Sequence, residues 1–310
     1  VEKVVSRNVP EGMTSFESLL AGDTDEVDAA AARVGPDTVA KYLMTSGSTS
    51  HPKGVVTTHR MMCANQTQIA DALPFLRARS PRIVDWLPWN HVFGGSHNFN
   101  MMLANGGALY IDAGKPAPGL VETSIENNRL QSGTIAFNVP VGFGILRDRM
   151  RKDHALRDSY FRDLDMLFYA GASLPQDIWS DLEDIAREVR GDVPLFTSSW
   201  GMTETAPACL IQHEPTSRSG IIGVPMTGME IKLSPDAVEA GRYDLRVRGP
   251  NITPGYVGDA AKTAELFDDE GFLISGDAVR LVDEDRPGLG MRFDGRMAEE
   301  FKLLTGTWVR

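Results

Sequence analysis

Ten consecutive residues carry the strongest chemical signal in the chain: Thr45-Ser46-Gly47-Ser48-Thr49-Ser50-His51-Pro52-Lys53-Gly54. Five of the first six bear a hydroxyl, two glycines permit backbone angles closed to other residues, and a lysine precedes the second of them. A loop of this kind leaves many N–H and O–H donors free at the end of a strand, which is what a polyphosphate needs. It is not the Walker A pattern, because Pro52 stands where a glycine should precede the lysine and no Ser or Thr follows Lys53. The competing reading is a flexible Ser/Thr/Gly linker. Its place, directly after an apolar strand and before Gly54-Val55-Val56, favours phosphate binding. Thr45, Ser46, Gly47, Ser48 and Thr49 are the candidate phosphate contacts, with Lys53 as counter-charge.

A second cluster is Trp200-Gly201-Met202-Thr203-Glu204-Thr205, immediately after an apolar strand. Ligands collect beyond the carboxyl ends of parallel strands. There an aromatic ring could stack on a base, a glycine admit close approach, Thr203 bind phosphate and Glu204 hold Mg²⁺. A plain surface turn explains the same residues equally well. Ser275-Gly276-Asp277 ends an apolar strand, and its carboxylate could accept both hydroxyls of a ribose; a turn is the alternative. Asp294-Gly295-Arg296, followed by Lys302, reads on its own as a solvated charged face. His91 lies between aromatics in Leu87-Pro88-Trp89-Asn90-His91-Val92-Phe93-Gly94-Gly95. A single histidine there is more often a satisfied core side chain than a catalyst, although the Gly-Gly pair suggests close approach to the backbone. His91, Phe93 and His97 together suggest a surface on which a flat ring could lie. Other signatures fail: Gly142-Phe143-Gly144 lacks the third glycine of a dinucleotide site, and no Gly-x-Ser-x-Gly elbow occurs.

Elements of two rhythms must position these residues. From Val39 the chain alternates strand and helix. Val39–Met44, Gly54–Thr57, 82–87, 108–111, 166–169 and 193–196 read as strands, and Thr58 caps a helix from about His59 to Leu76. A second helix has Ser173 as cap, Pro175 in its first turn, an apolar stripe of Ile178, Leu182, Ile185 and Val189, and Gly191 as its stop. Strand–helix–strand units of this kind give a parallel sheet. After about residue 214 the period changes to two: Met229, Ile231 and Leu233, then Tyr243, Leu245 and Val247, alternate with polar residues. That is a half-exposed antiparallel sheet. The expected fold is therefore α/β, a layered parallel-sheet core over residues 1–213, then a smaller antiparallel β subdomain over 214–294, then a hinge and the start of a further C-terminal domain over 295–310. Glu11 to Val34 reads as an acidic, Ala-rich helix pair or loop.

Composition narrows the function classes. The chain has 310 residues, 42% of them hydrophobic and 24% charged, an ordinary globular balance. Lys plus Arg is 31 and Asp plus Glu 42, so the net charge is 31 − 42 = −11, which disfavours nucleic acid and anionic membranes as partners. The two cysteines, Cys63 and Cys209, are far apart and form no metal-binding spacing, so a reducing, cytoplasmic compartment is expected. No apolar run reaches the roughly 18 residues of a membrane span. The chain begins with Val1 and stops at Arg310 without a closing pattern, and both ends read as cuts through a longer protein.

Taken in order, these segments resemble the adenylate-forming superfamily of acyl-CoA synthetases, adenylation domains and luciferases, from about Val39 to Val309. Within it, Asp85–His91, Asn105–Asp112, Gly249–Tyr256, and Phe301-Lys302 with Thr305–Val309 are similar to the feruloyl-CoA synthases. The resemblance implies that a carboxylic acid and ATP form an acyl-adenylate and pyrophosphate, after which the thiol of CoA displaces AMP. It implies that Gly171, Ala172 and Ser173 line the adenine together with Ser199 and Trp200. Thr203 would touch the α-phosphate, Glu204 bind Mg²⁺, and Asp277 and Arg296 hold the ribose. His91 would stand beside the substrate carboxylate, and Lys302 matches a lysine just past the family's hinge. Ser50 stands where the family usually has glycine, and Trp200 where Tyr is commoner.

The expectation is an ATP-dependent aryl-CoA synthetase acting on a hydroxycinnamic acid such as ferulate, with Phe93 and His97 in the acid pocket and self-association possible. The alternatives are a fatty acyl-CoA synthetase, a peptide-synthetase adenylation domain, or a nonenzymatic nucleotide-binding fragment. No acidic residue follows His91 to pair with an amino group, which argues against the adenylation domain. The family's small C-terminal domain supplies a catalytic lysine, so this chain by itself is expected to bind ATP or AMP weakly and to turn over almost nothing.

Overall fold

The structure, a computed structural model, describes residues 4–5, 7–20, 25–45, 52–236, 239–297, 301–302 and 308–309. Residues 1–38 and 39–310 are two separate compact units. In the first, β1 (Val4–Val5) pairs in parallel with β2 (Thr14–Ser15), and short helices span Phe16–Leu19 and Asp25–Ala31.

The second unit begins with an antiparallel hairpin of β3 (Val39–Thr45) and β4 (Lys53–Thr58), which sets Thr45 opposite Lys53. Ser46, Gly47, Ser48 and Thr49, the expected phosphate contacts between these strands, lie outside the described residues. Thr58 caps the helix His59–Ala72, its hydroxyl accepting from the Met61 N–H at 3.3 Å. That helix stops ahead of the expected Leu76. Pro74 disfavours helical angles at Leu73, which turns out at φ −123°, and a separate turn covers Phe75–Ala78.

The parallel part follows. β5 (Arg82–Asp85) pairs with β6 (Ala108–Ile111), while β7 (Ile135–Asn138), β8 (Met166–Tyr169) and β9 (Leu195–Thr197) form a second parallel sheet. The Thr134 N–H donates to the Arg82 carbonyl at 2.8 Å, linking the two sheets. Every residue of β8 is buried, as a strand covered on both faces requires. Met166 and Phe168 enter one apolar core, Leu167 and Tyr169 the other. The second core is closed by the crossover helix Gln176–Arg190, which buries Trp179, Leu182, Ile185 and Ala186. Its stop at Gly191 is as expected, with φ +82°. Its start is not: the N-cap is Pro175, and Ser173 makes no capping bond because it lies two residues too early.

An antiparallel sheet completes the unit. Its strands are β10 (Ser199–Gly201), β11 (Ala208–Ile211), β12 (Ile221–Pro225), β13 (Glu230–Pro235), β14 (Tyr243–Arg248), β15 (Leu273–Leu281) and β16 (Met291–Arg296), in the order β10-β11-β12-β16-β15-β14-β13. It takes in β10 and β11, ahead of position 214. Leu245, Val247, Leu273 and Val279 from this sheet share one core with Ile83, Phe137 and Phe168 from the parallel strands. The α/β class and the pairing of parallel and antiparallel sheets agree with the sequence reading. Among the described residues no helix is long and apolar enough to cross a membrane.

Candidate active site

Two clefts meet at Gly201. The smaller, of about 200 Å³, opens where β8 ends and β10 begins. Gly171, Ala172 and Ser173, in the loop that leaves β8, form one wall, and Ser199 and Trp200 of β10 form another. Ligands are expected at the carboxyl end of such a strand. Asp277 and Phe293 also line it. The structure thus brings together the five residues expected around an adenine and the aspartate expected at a ribose.

Asp277 is buried and already engaged. The Trp200 indole N–H donates to its Oδ2 at 2.9 Å, and the Arg296 guanidinium pairs with its Oδ1 at 2.8 Å. Trp200 therefore does more than offer a stacking face: its N–H fixes the carboxylate. Asp277 does not end its strand, as its sequence context suggests. It sits in the middle of β15, opposite Arg296 of β16, where the pairing register shifts. That register, rather than proximity in sequence, unites the two residues.

The larger cleft, of about 780 Å³, has Thr45 and Lys53 from the hairpin, His91, Thr203, Glu204 and Arg296 on its walls. Thr203–Thr205 form a single 3₁₀ turn, held by the Met202 N–H donating to Thr205 Oγ1 at 2.9 Å. Gly201 is required just before it. A Cβ at Gly201 would lie 1.8 Å from the Pro207 carbonyl oxygen, so no other residue lets these two segments come so close. Glu204 is only 6% exposed. Its Oε1 accepts from the Tyr256 hydroxyl at 2.8 Å, and no hydrogen bond to Oε2 is made among the described residues. In the sequence Tyr256 appears only as the last residue of the Gly249–Tyr256 stretch, with no role attached to it. Gly255-Tyr256 looks like any turn beside Pro254, and only the contact with Glu204 gives it a place in the site.

His91 is exposed on the cleft wall, and its Nδ1 accepts from the Phe93 N–H at 3.2 Å. That bond makes Nε2 the protonated nitrogen of the neutral ring. Val92–Asn98 is a π-helical segment in which the Phe93 and His97 rings meet edge to face, their centroids 5.6 Å apart. Phe137 and Phe168 close the group, at 5.5 and 5.3 Å from the His97 ring. His97 is 1% exposed and lines neither cleft; Phe93 is half-buried and lines neither as well. His97 Nδ1 meets Asn98 Oδ1 at 2.9 Å, while its Nε2 is buried with no hydrogen-bond partner among the described residues. Asn98 Nδ2 donates to Asp85 Oδ2 at 3.0 Å. Burial pushes His97 down to about 4, and burial, with the Asp112 charge, pushes Asp85 up to about 6. The backbone of Lys302 pairs with Trp308 in a short antiparallel ribbon; its side chain lies outside the described residues.

Residues 2–257 match the family model described as AMP-binding enzyme. The chain belongs to this family. Curated relatives include 4-coumarate-CoA ligase 2 of Narcissus pseudonarcissus, 30% identical over 89% of this chain and 48% of its own length. A feruloyl-CoA synthase of an Amycolatopsis species is 30% identical over 90% of this chain and 56% of its own length. A long-chain-fatty-acid–CoA ligase of Salmonella typhimurium is 30% identical over 81% of this chain and 44% of its own length. The chain spans about half the length of the curated relatives it matches. Among solved structures, a malonyl-CoA ligase with methylmalonyl-CoA and AMP bound superposes with a TM-score of 0.68 at 26% identity, over 86% of this chain and 55% of that one.

Proposed function

We propose that this chain is the nucleotide-binding core of an ATP-dependent acid–CoA ligase that activates an aromatic acid of the hydroxycinnamic type. The observation that carries the reading is the junction of the two clefts. Groups suited to a base, a ribose and a phosphate follow one another across Gly201. In this reading Gly171, Ala172, Ser173, Ser199 and Trp200 enclose the adenine, and Asp277 with Arg296 orients the ribose. Thr45, Thr203 and Lys53 face the phosphates, with Ser46, Gly47, Ser48 and Thr49 completing that loop.

In the first step a carboxylate oxygen of the acid attacks the α-phosphorus, the bond to the bridging oxygen breaks, and pyrophosphate leaves with that electron pair. In the second, the CoA sulfur attacks the acyl carbon and AMP departs. A carboxylate is already a nucleophile, so the protein's task is to place it in line and to neutralise charge on the leaving group. Lys53 is the cation for that charge, and His91 Nε2–H is a donor for the acid's carboxylate. Lys302, just past the hinge, is the third residue assigned a catalytic role.

Glu204 suits Mg²⁺, which binds through one or two carboxylates together with substrate phosphates. Among the described residues no three His, Cys, Asp or Glu side chains converge, and Glu204 offers a single carboxylate with one oxygen anchored to Tyr256. The metal would supply charge neutralisation at the phosphates. Support for an aromatic acid comes from the named activities of two relatives. The fatty-acid ligase relative keeps a fatty acyl substrate as the second reading. AMP release with CoA across a panel of acids tests both: hydroxycinnamates should lead the panel, and a preference for long-chain fatty acids would replace the first reading by the second.

A further inference from the structure

We propose that Tyr256 is a positioning residue that ties the phosphate-loop hairpin to the carboxylate of Glu204, and so sets how strongly Mg²⁺ assists nucleotide binding. This rests on the nucleotide-dependent reading above.

The segment around Tyr256 is strapped along β4. The Val56 N–H donates to the Gly255 carbonyl at 3.0 Å, and the Val257 N–H donates to the Gly54 carbonyl at 2.8 Å. Val55 and Tyr256 face each other in an antiparallel bridge. The Thr253 hydroxyl donates to the Val56 carbonyl at 2.7 Å, and the Thr253 N–H donates to the Glu204 carbonyl at 2.8 Å. One short segment therefore holds both the hairpin and the turn that carries Glu204. Gly255 makes the bend possible: its φ is +141°, and a Cβ there would lie 2.3 Å from Thr263 Cγ2. Thr263 Oγ1 accepts from the Tyr256 N–H at 3.0 Å and fixes the residue from behind.

Two interactions then meet on one side chain. The Lys53 ammonium lies 5.0 Å from the centre of the Tyr256 ring, and the Tyr256 hydroxyl donates to Glu204 Oε1 at 2.8 Å. A cation over the ring face draws electron density from it and makes the hydroxyl a stronger donor. Burial and the Glu204 charge push the phenol's pKa upward, so it stays protonated and donating. Anchored at Oε1, the carboxylate keeps a fixed direction for its other oxygen. Tyr256 touches no reacting atom in this scheme; it acts through Glu204.

The test is calorimetric titration of ATP into the full chain, with and without Mg²⁺, for wild type, Tyr256→Phe and Tyr256→Leu. Tyr256→Phe keeps the ring and its contact with Lys53 and removes only the hydroxyl. Mg²⁺ should tighten ATP binding by wild type. In Tyr256→Phe that Mg²⁺-dependent gain should shrink about ten-fold, the size expected for one lost hydrogen bond to a charged group, with binding of ATP alone unchanged. Tyr256→Leu should lose the same gain and also weaken binding of ATP alone. An equal Mg²⁺ gain in wild type and Tyr256→Phe overturns the role of Tyr256. So does an equal loss with and without Mg²⁺, which marks a merely structural residue, or a wild type that binds ATP with no Mg²⁺ gain. Wild type that binds no ATP overturns the functional reading itself, and this inference with it.

Discussion

Asp85 and Glu204 are buried carboxylates with nearly the same exposure, 4% and 6%, but they are held in different ways. Asp85 has both oxygens occupied: Oδ1 accepts from the Leu87 N–H at 3.2 Å and Oδ2 from Asn98 at 3.0 Å. It lines neither cleft, and no cation pairs with it among the described residues. Glu204 has one oxygen occupied, faces the larger cleft, and shares Tyr256 with a lysine. A saturated carboxylate away from solvent can only support its surroundings. One that is half satisfied, beside a cation and an open volume, has capacity left for a ligand. The proposed binding role thus falls to Glu204 and a structural role to Asp85, and each can be broken.

The largest effect should come from Glu204→Gln. Glutamine keeps an oxygen to accept from Tyr256 but loses the charge. In the proposed ligase, assayed as the longer protein, pyrophosphate exchange should fall by about a hundred-fold to a thousand-fold, the range seen when one stabilising group at developing charge is removed, with the thermal midpoint little changed. Asp85→Asn should lower exchange far less. A larger catalytic loss at Asp85 than at Glu204 would reverse the comparison.

Asp85 and His97 should show themselves in stability instead. Asp85, pushed up to about 6 from 3.8, contributes stability that is present below 3.8 and lost as pH rises through 6. His97, pushed down to about 4 from 6.5, contributes stability that is present above 6.5 and lost as pH falls through 4. Each shift corresponds to about 3 kcal/mol, and the two act in opposite directions over the same window. They should nearly cancel in the wild type. Asp85→Asn should leave a chain that loses stability as pH falls from 6.5 to 4, and His97→Gln one that gains it. Urea midpoints across that window give the answer, and parallel pH profiles in all three proteins would rule the pair out.

The two carboxylates also differ in how far the sequence reveals them. Glu204 stands in Trp200–Thr205, a run of chemically capable residues after an apolar strand, so its type and place are readable. The parallel strands are readable too, because Met166–Tyr169 is apolar at every position and the following helix has a clear stripe. Tyr256 is not, since its importance comes from a strap paired with β4 some two hundred residues earlier, as in the Thr253–Val56 bond with its sequence separation of 197. Nor is the Asp277–Arg296 pair as geometry: it depends on the β15–β16 register, which local sequence does not encode. Asp85 resembles a strand end, and the Asp85–Asn98–His97 chain emerges only once Val92–Asn98 winds as a π-helix.

The smallest effect expected is at Phe93, and it sharpens the contrast between the open cleft and the enclosed aromatic group. The Phe93 ring lies 5.6 Å from His97, 5.9 Å from Phe137 and 5.8 Å from Phe168, while its own N–H bonds to His91 on the cleft wall. It is thus the link between the carboxylate end of the proposed acid site and the aromatic cluster behind it. Phe93→Ala removes one face of that cluster and leaves the cleft residues in place. Phe93 lines neither cleft, so its effect is indirect: the wall at His91, where a flat aromatic ring would rest, loses its backing, and a short aliphatic acid depends less on that wall. Apolar pocket contacts discriminate by roughly ten-fold to two-hundred-fold, and a half-buried ring belongs at the lower end. The ratio of kcat/KM for a hydroxycinnamate over a short aliphatic acid should therefore fall about ten-fold, with the KM for ATP unchanged. Equal losses on both acids would place Phe93 in the scaffold alone and remove the aromatic cluster from the acid site.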